Sequence, residues 1–109
     1  MPCEIEEKYS GIDVLKGRAK VINQLGEDNT KAFCDGAKKA LHVSLKEGIK
    51  MAILKASSPS CGNETIYDGT HSGVKKQGEG VCTALLRENA IKVFSERELD
   101  EAKKYWETL

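Results

Sequence analysis

The most constraining feature is a short apolar run, Met51-Ala52-Ile53-Leu54, that stops almost at once in Ser57-Ser58-Pro59-Ser60-Cys61-Gly62. An apolar run of this length reads as a buried strand. Pro59 and Gly62 forbid its continuation. Upstream, Asp28, Asn29 or Thr30 can cap a helix reaching about Glu47, with Phe33, Ala37, Ala40, Leu41 and Ser44 on one buried face and Gly48 as its stop. Downstream, Gly80 to Asn89 reads as a second helix with Val81, Ala84 and Leu85 inward, and Ile91-Lys92-Val93-Phe94 as a second buried strand. Ser95 and Glu98 have capping-box spacing for a last helix whose inner face is Leu99, Ala102 and Trp106. Arg18–Asn23 reads as a short strand or edge ribbon.

This alternation predicts an α/β fold with parallel strands and right-handed crossovers. In such sheets ligands gather beyond the carboxyl ends of the strands. Cys61 leaves the first buried strand at that end. Its thiol can be a nucleophile or a soft metal ligand, Gly62 lets a bound group approach the backbone, and Ser57, Ser58 and Ser60 offer hydroxyls. A buried thiol behind a proline turn is the bland alternative.

The segment Gly62–Gly80 holds five glycines and reads as one long loop, with a turn at Tyr67-Asp68-Gly69-Thr70. Gly78-Glu79-Gly80-Val81 opens the second helix without the GK[ST] ending of a phosphate loop. Its amides are either a cradle for a phosphate or pyrimidine carbonyl, or a plain glycine turn. Cys34 reads as core packing, and Cys82 as packing at a helix start, where a thiol can also be activated. His71 reads as an incidental loop histidine.

Charge and length bound the rest. The chain has 109 residues, enough for one domain over 1–109 and one core. Seventeen basic residues balance seventeen acidic ones, which argues against a nucleic-acid module held by a basic field. No apolar stretch is long enough to span a membrane, and the opening MPCEIEEKYS is no secretory leader, so a cytoplasmic protein with reduced thiols is expected. No CxxC pair points to a zinc site.

The runs Ile49–Lys55, Ser58-Pro59-Ser60-Cys61-Gly62, Ile66-Tyr67-Asp68-Gly69-Thr70, Gly78-Glu79-Gly80-Val81, Thr83-Ala84-Leu85-Leu86 and Val93-Phe94-Ser95-Glu96 together resemble a widespread bacterial family. It is the TudS-type thiouracil and 4-thiouridine desulfidase family, formerly a domain of unknown function. The resemblance covers residues 2–96 and corresponds to the C-terminal two-thirds of the family domain. It implies a Rossmann-like parallel sheet with flanking helices, truncated at the N-terminus. It also implies a 4Fe-4S cluster on three cysteines, with an open iron that takes sulfur from a thiolated pyrimidine or nucleotide.

By position, Cys61 matches the last cluster cysteine and the metal ligand. Ser57, Ser58 and Ser60 match the catalytic face, and Gly62, Asp68, Gly80 and Val81 the substrate side. The family's other two cluster cysteines sit in CLLG-type and CPE-type motifs, which this sequence does not contain. Two readings stay open. One is a desulfidase, or a relic inactive through that loss, whose missing ligands come from Cys3, Cys34 or Cys82, a second copy or a partner chain. The other is a metal-free nucleotide- or small-molecule-binding module. A homodimer covering an exposed sheet edge is a further expectation.

Overall fold

The computed structural model describes residues 2–109. The chain begins with β1 (Cys3–Ile5), α1 (Gly11–Leu15), β2 (Val21–Asn23) and α2 (Thr30–Lys46). It continues through β3 (Met51–Leu54), β4 (Thr65–Tyr67), β5 (Lys75–Gln77), α3 (Val81–Glu88), β6 (Lys92–Ser95) and α4 (Leu99–Glu107). The expected helices and the strands β3 and β6 are present, and β6 is buried at Val93, Phe94 and Ser95, but the expectation of burial fails at β3, where Ile53 is 48% exposed and Met51, Ala52 and Leu54 are half-buried.

β3 and β6 pair in parallel, Met51 against Lys92 through Leu54 against Ser95. Among the described residues the parallel sheet is small, with these two strands alone. β1 and β2 form an antiparallel ribbon with Ile5 opposite Val21. The long loop expected over Gly62–Gly80 instead contains an antiparallel hairpin, β4–β5, with Thr65 opposite Gln77. Three-residue strands such as Lys75-Lys76-Gln77 carry little apolar alternation, so periodicity does not reveal them. Helix α1 has no counterpart among the sequence expectations. It is only five residues long, and the Ser10 N–H donates to the Asp13 carboxylate at 3.0 Å to start it.

The core gathers Ile5, Val14, Val21, Ala37, Ile66, Val81, Leu86, Ile91 and Val93. α3 lies at its centre, with Val81, Cys82, Thr83, Ala84 and Leu86 all buried. The α2 stripe faces inward as expected: Ala37 and Ser44 are buried, and Phe33, Cys34, Ala40 and Leu41 pack on the core. Cys34 is thus a packing residue.

The expected inner face of α4 is corrected. Leu99 and Trp106 are 56% and 67% exposed, and only Ala102 is buried. The helix docks through Ala102 and Tyr105, whose ring lies 5.9 Å from that of Phe94. Leu99 and Trp106 therefore sit one step round the helix. With Met51, Ile53 and Ala102 they line an open apolar cleft beside β3.

Two carboxylates brace the carboxyl ends of the parallel strands. Glu96 accepts the Ala56 N–H at 2.9 Å. Glu98 accepts the Ser95 N–H at 2.9 Å, the half of the capping box that survives, and also accepts from Asn63. Its hydrogen bonds to Asn63 and then to Ser95 hold the Glu98 carboxyl below the usual glutamate range.

Candidate functional site

The loop Ser57–Gly62 leaves the carboxyl end of β3, as the alternation predicts. Its conformation is held from inside and from α3. Ser58 Oγ accepts the Cys61 N–H at 2.7 Å, and the Ser58 carbonyl accepts the Gly62 N–H at 2.9 Å. Ser57 is buried at φ +69°, and its hydroxyl lies 3.1 Å from Thr65 Oγ1. Ser57 thereby stitches the loop to β4, and Ser58 shapes the turn that presents Cys61. Cys61 itself is half-buried.

The start of α3 closes on this loop. The Val81 N–H donates to the Pro59 carbonyl at 2.7 Å, and the Cys82 and Thr83 N–H groups both donate to the Ser60 carbonyl, at 2.8 and 3.1 Å. The Gly80 N–H donates to the Gly62 carbonyl at 2.8 Å. Of the two readings open at Gly78–Val81, these bonds favour the plain glycine turn over the anion cradle. The orphan donors of this helix start, which would otherwise seek an anion, are satisfied by the loop's own carbonyls. Gly80 and Val81 position the loop through their backbone.

Glycine is required on both sides of this contact. A Cβ on Gly80 would lie 2.4 Å from Ser60 C and 2.7 Å from the Pro59 oxygen, and one on Gly62 would lie 2.6 Å from the Thr65 oxygen. These neighbours are backbone atoms that cannot swing away.

Thr83 is a site residue that pattern reading missed. It is fully buried, and its Oγ1 donates to the Cys61 carbonyl at 2.8 Å. A hydroxyl one turn into an otherwise apolar helix face is the available signal. Asn63, also missed, is buried and donates to Glu98 and, at 3.4 Å, to the Val93 carbonyl. It anchors the loop's exit to β6 and α4.

Asp68 is not drawn to the cysteine loop by any of its bonds. Its carboxylate accepts the Thr70 N–H at 2.9 Å and the Thr70 hydroxyl at 2.6 Å, and these bonds hold it below the usual aspartate range. Gly69 beside it packs against the backbone of Ile5–Glu7. Glu4 Oε1 accepts the Gly69 N–H at 2.9 Å and the His71 N–H at 3.2 Å. His71 Nδ1 lies 3.5 Å from Glu4 Oε2, a neighbour not visible in the sequence. A cleft of about 480 Å³ there is lined by Glu4, Glu6, Tyr9, Asn23 and His71, not by the cysteine loop.

Cys82 is buried one hydrogen bond away from the loop. Burial pushes its thiol up, and a charge on Cys61 pushes it further. Cys3 and Cys34 pack against the core. Among the described residues, no three of His, Cys, Asp and Glu gather closely enough to hold a metal ion. A 4Fe-4S cluster needs at least three thiolates where one iron stays open. The described residues of this chain alone do not meet that requirement. Among the described residues no helix is long and apolar enough to cross a membrane.

Comparison with known proteins gives the geometry a context. The 2-thiouracil desulfurase family model matches residues 1–98. The uncharacterized protein YbbK of Bacillus subtilis (strain 168) is 45% identical over 92 residues, which is 84% of this chain and 61% of YbbK. The solved structure of the [4Fe-4S]-dependent thiouracil desulfidase TudS superposes with a TM-score of 0.85 at 39% identity, covering 99% of this chain and 64% of TudS. The chain thus spans under two-thirds of the length of either relative. With the family model extending over nearly all of its length, this chain belongs to the 2-thiouracil desulfurase family.

Proposed function

We propose that this chain is the cysteine-loop part of a cytoplasmic, desulfidase-type protein that acts on a thiolated pyrimidine or nucleotide, built on a Rossmann-like single domain. The observation that carries the reading is the Ser58-Pro59-Ser60-Cys61-Gly62 loop. It is pinned to α3 by the Pro59 and Ser60 carbonyls and presents a half-buried thiol at the end of a parallel strand. Pinning of this kind holds a ligand or reacting group in one geometry without further ordering cost. TudS, similar to this chain over 64% of its own length, is [4Fe-4S]-dependent.

In this reading Cys61 supplies one thiolate to a cluster, and a second copy or a partner chain supplies the others. Ser58 and Ser60 face the substrate, and Ser57 acts as a brace rather than a catalytic group. The Gly62 amide and the Gly80–Val81 segment set the wall of the pocket. Asp68 acts through the conformation of its turn. The open apolar cleft beside β3, which among the described residues pairs only with β6, supports a second polypeptide at this edge.

Anaerobic reconstitution with iron and sulfide, read as iron per chain, visible spectrum and sedimentation, tests this. The expected result is iron held on dimers, lost in Cys61→Ser. Absence of iron in the parent chain overturns the reading in which copies of this chain share a cluster. It would leave the loop as a metal-free pyrimidine pocket, and a thermal shift with uridine monophosphate would then measure it.

A further inference from the structure

Cys61 and Cys82 are brought together by the docking of the loop on α3, and nothing in the proposed function uses Cys82. The Cys82 N–H donates to the Ser60 carbonyl at 2.8 Å, and Ser60 is bonded directly to Cys61. Only an N–Cα bond, that hydrogen bond and one carbonyl-to-next-Cα span separate the two Cα atoms. With standard backbone dimensions they are therefore at most about 7 Å apart, whatever the angles. Disulfides bridge Cα atoms about 4.4–6.8 Å apart. The Thr83 hydroxyl, bonded to the Cys61 carbonyl at 2.8 Å, fixes the same approach from the next residue. Both residues are free thiols, Cys61 half-buried and Cys82 buried.

We propose that Cys61 and Cys82 form a reversible redox pair: Cys61 is the accessible thiol that a small-molecule disulfide meets first, and Cys82 is the resolving thiol beneath it. The electrons balance as ordinary thiol–disulfide exchange. Cys61 loses its proton to solvent, and its thiolate attacks one sulfur of the oxidant, forming a mixed disulfide and releasing one small thiol. Cys82 then gives up its proton, and its sulfur attacks the Cys61 sulfur and displaces the second small thiol. Both protein sulfurs are oxidised by one electron each, and the oxidant is reduced to two thiols.

The pairing itself stands apart from the desulfidase reading. Its consequence rests on that reading: a Cys61 held in a disulfide cannot ligate iron, so oxidation would close the site. Helix α3, rooted in the core through Val81 and Leu86, makes a rigid base from which Cys82 reaches a loop docked on it through backbone bonds.

The test incubates the intact, iron-free chain with glutathione disulfide, blocks remaining thiols with N-ethylmaleimide, and maps peptides without reduction. The parent chain is expected to yield a monomeric product with a Cys61–Cys82 cross-link and little retained glutathione. Cys82→Ser and Cys82→Ala should instead accumulate glutathione stably on Cys61, while Cys34→Ser behaves as the parent. If the parent retains glutathione on Cys61 as fully as the Cys82 variants, or links Cys61 to another cysteine, the pair does not exist. Circular dichroism of the two Cys82 variants confirms that they are folded. No iron is present, so failure here is distinct from failure of the cluster reading.

Discussion

Replacing Gly80 with alanine should unseat the cysteine loop. Gly80 has φ −77° and ψ 172°, a conformation alanine adopts freely, so the backbone itself imposes no penalty. The cost is steric. The added Cβ would sit 2.4 Å from Ser60 C, 2.5 Å from the Ser60 oxygen and 2.7 Å from the Pro59 oxygen. Ordinary carbon contacts are about 3.5 Å, so loop and helix must part by roughly 1 Å.

That separation takes the three hydrogen bonds to the Pro59 and Ser60 carbonyls, at 2.7, 2.8 and 3.1 Å, to or beyond the limit of bonding. At about 1 kcal/mol net each, the loss is about 3 kcal/mol. The smaller unfolded-state entropy of alanine offsets about 0.4–1 kcal/mol of it. A net destabilisation of about 2 kcal/mol is expected, lowering the urea midpoint by about 1 M at an ordinary m-value. Gly36→Ala is the matched control. Gly36 lies within α2 with nothing within 4 Å of its missing Cβ, so the same change there should stabilise by about 0.5–1 kcal/mol. Urea unfolding of both variants, with the alkylation rate of Cys61 as second readout, checks the argument. A Gly80→Ala protein as stable as the parent, with Cys61 no more reactive, would refute it.

The packing and the charges give two other expected outcomes. The Glu98 carboxyl is held down by Asn63 and Ser95, so its contribution is fully present above the ordinary glutamate pKa of 4.5 and is lost as pH falls through the depressed folded value. Glu98→Gln should therefore cost about 1 kcal/mol at pH 7, a cost that shrinks as pH falls below 4.5, and a difference in urea stability that ignores pH would contradict this. Phe94→Ala, at a site 6% exposed, should cost about 3–5 kcal/mol, whereas Trp106→Ala, at 67% exposure, should cost under about 1 kcal/mol. Equal thermal shifts in the two variants would mean that Trp106 packs inside after all.

Much of this molecule is legible in its residues, and the boundary is physical. Met51–Leu54 and Ile91–Phe94 are apolar runs bounded by breakers, and α2 repeats its apolar residues at helical spacing. Such local signals survive any tertiary arrangement, and the placement of Cys61 at a strand's carboxyl end follows from them. The family resemblance lies in the same contiguous motifs.

Features that depend on contacts between distant segments were out of reach. Lys75–Gln77 is a strand only because Thr65–Tyr67 lies beside it. Trp106 faces outward because Tyr105 takes the contact with Phe94. The glycine-rich start of α3 has the pattern of an anion site, yet its amides meet Pro59 and Ser60, on the far side of the β4–β5 hairpin in sequence. Sequence shows which groups seek a partner. Only the folded chain decides which partner reaches them first, because a buried donor must be satisfied by whatever group the packing brings within about 3 Å.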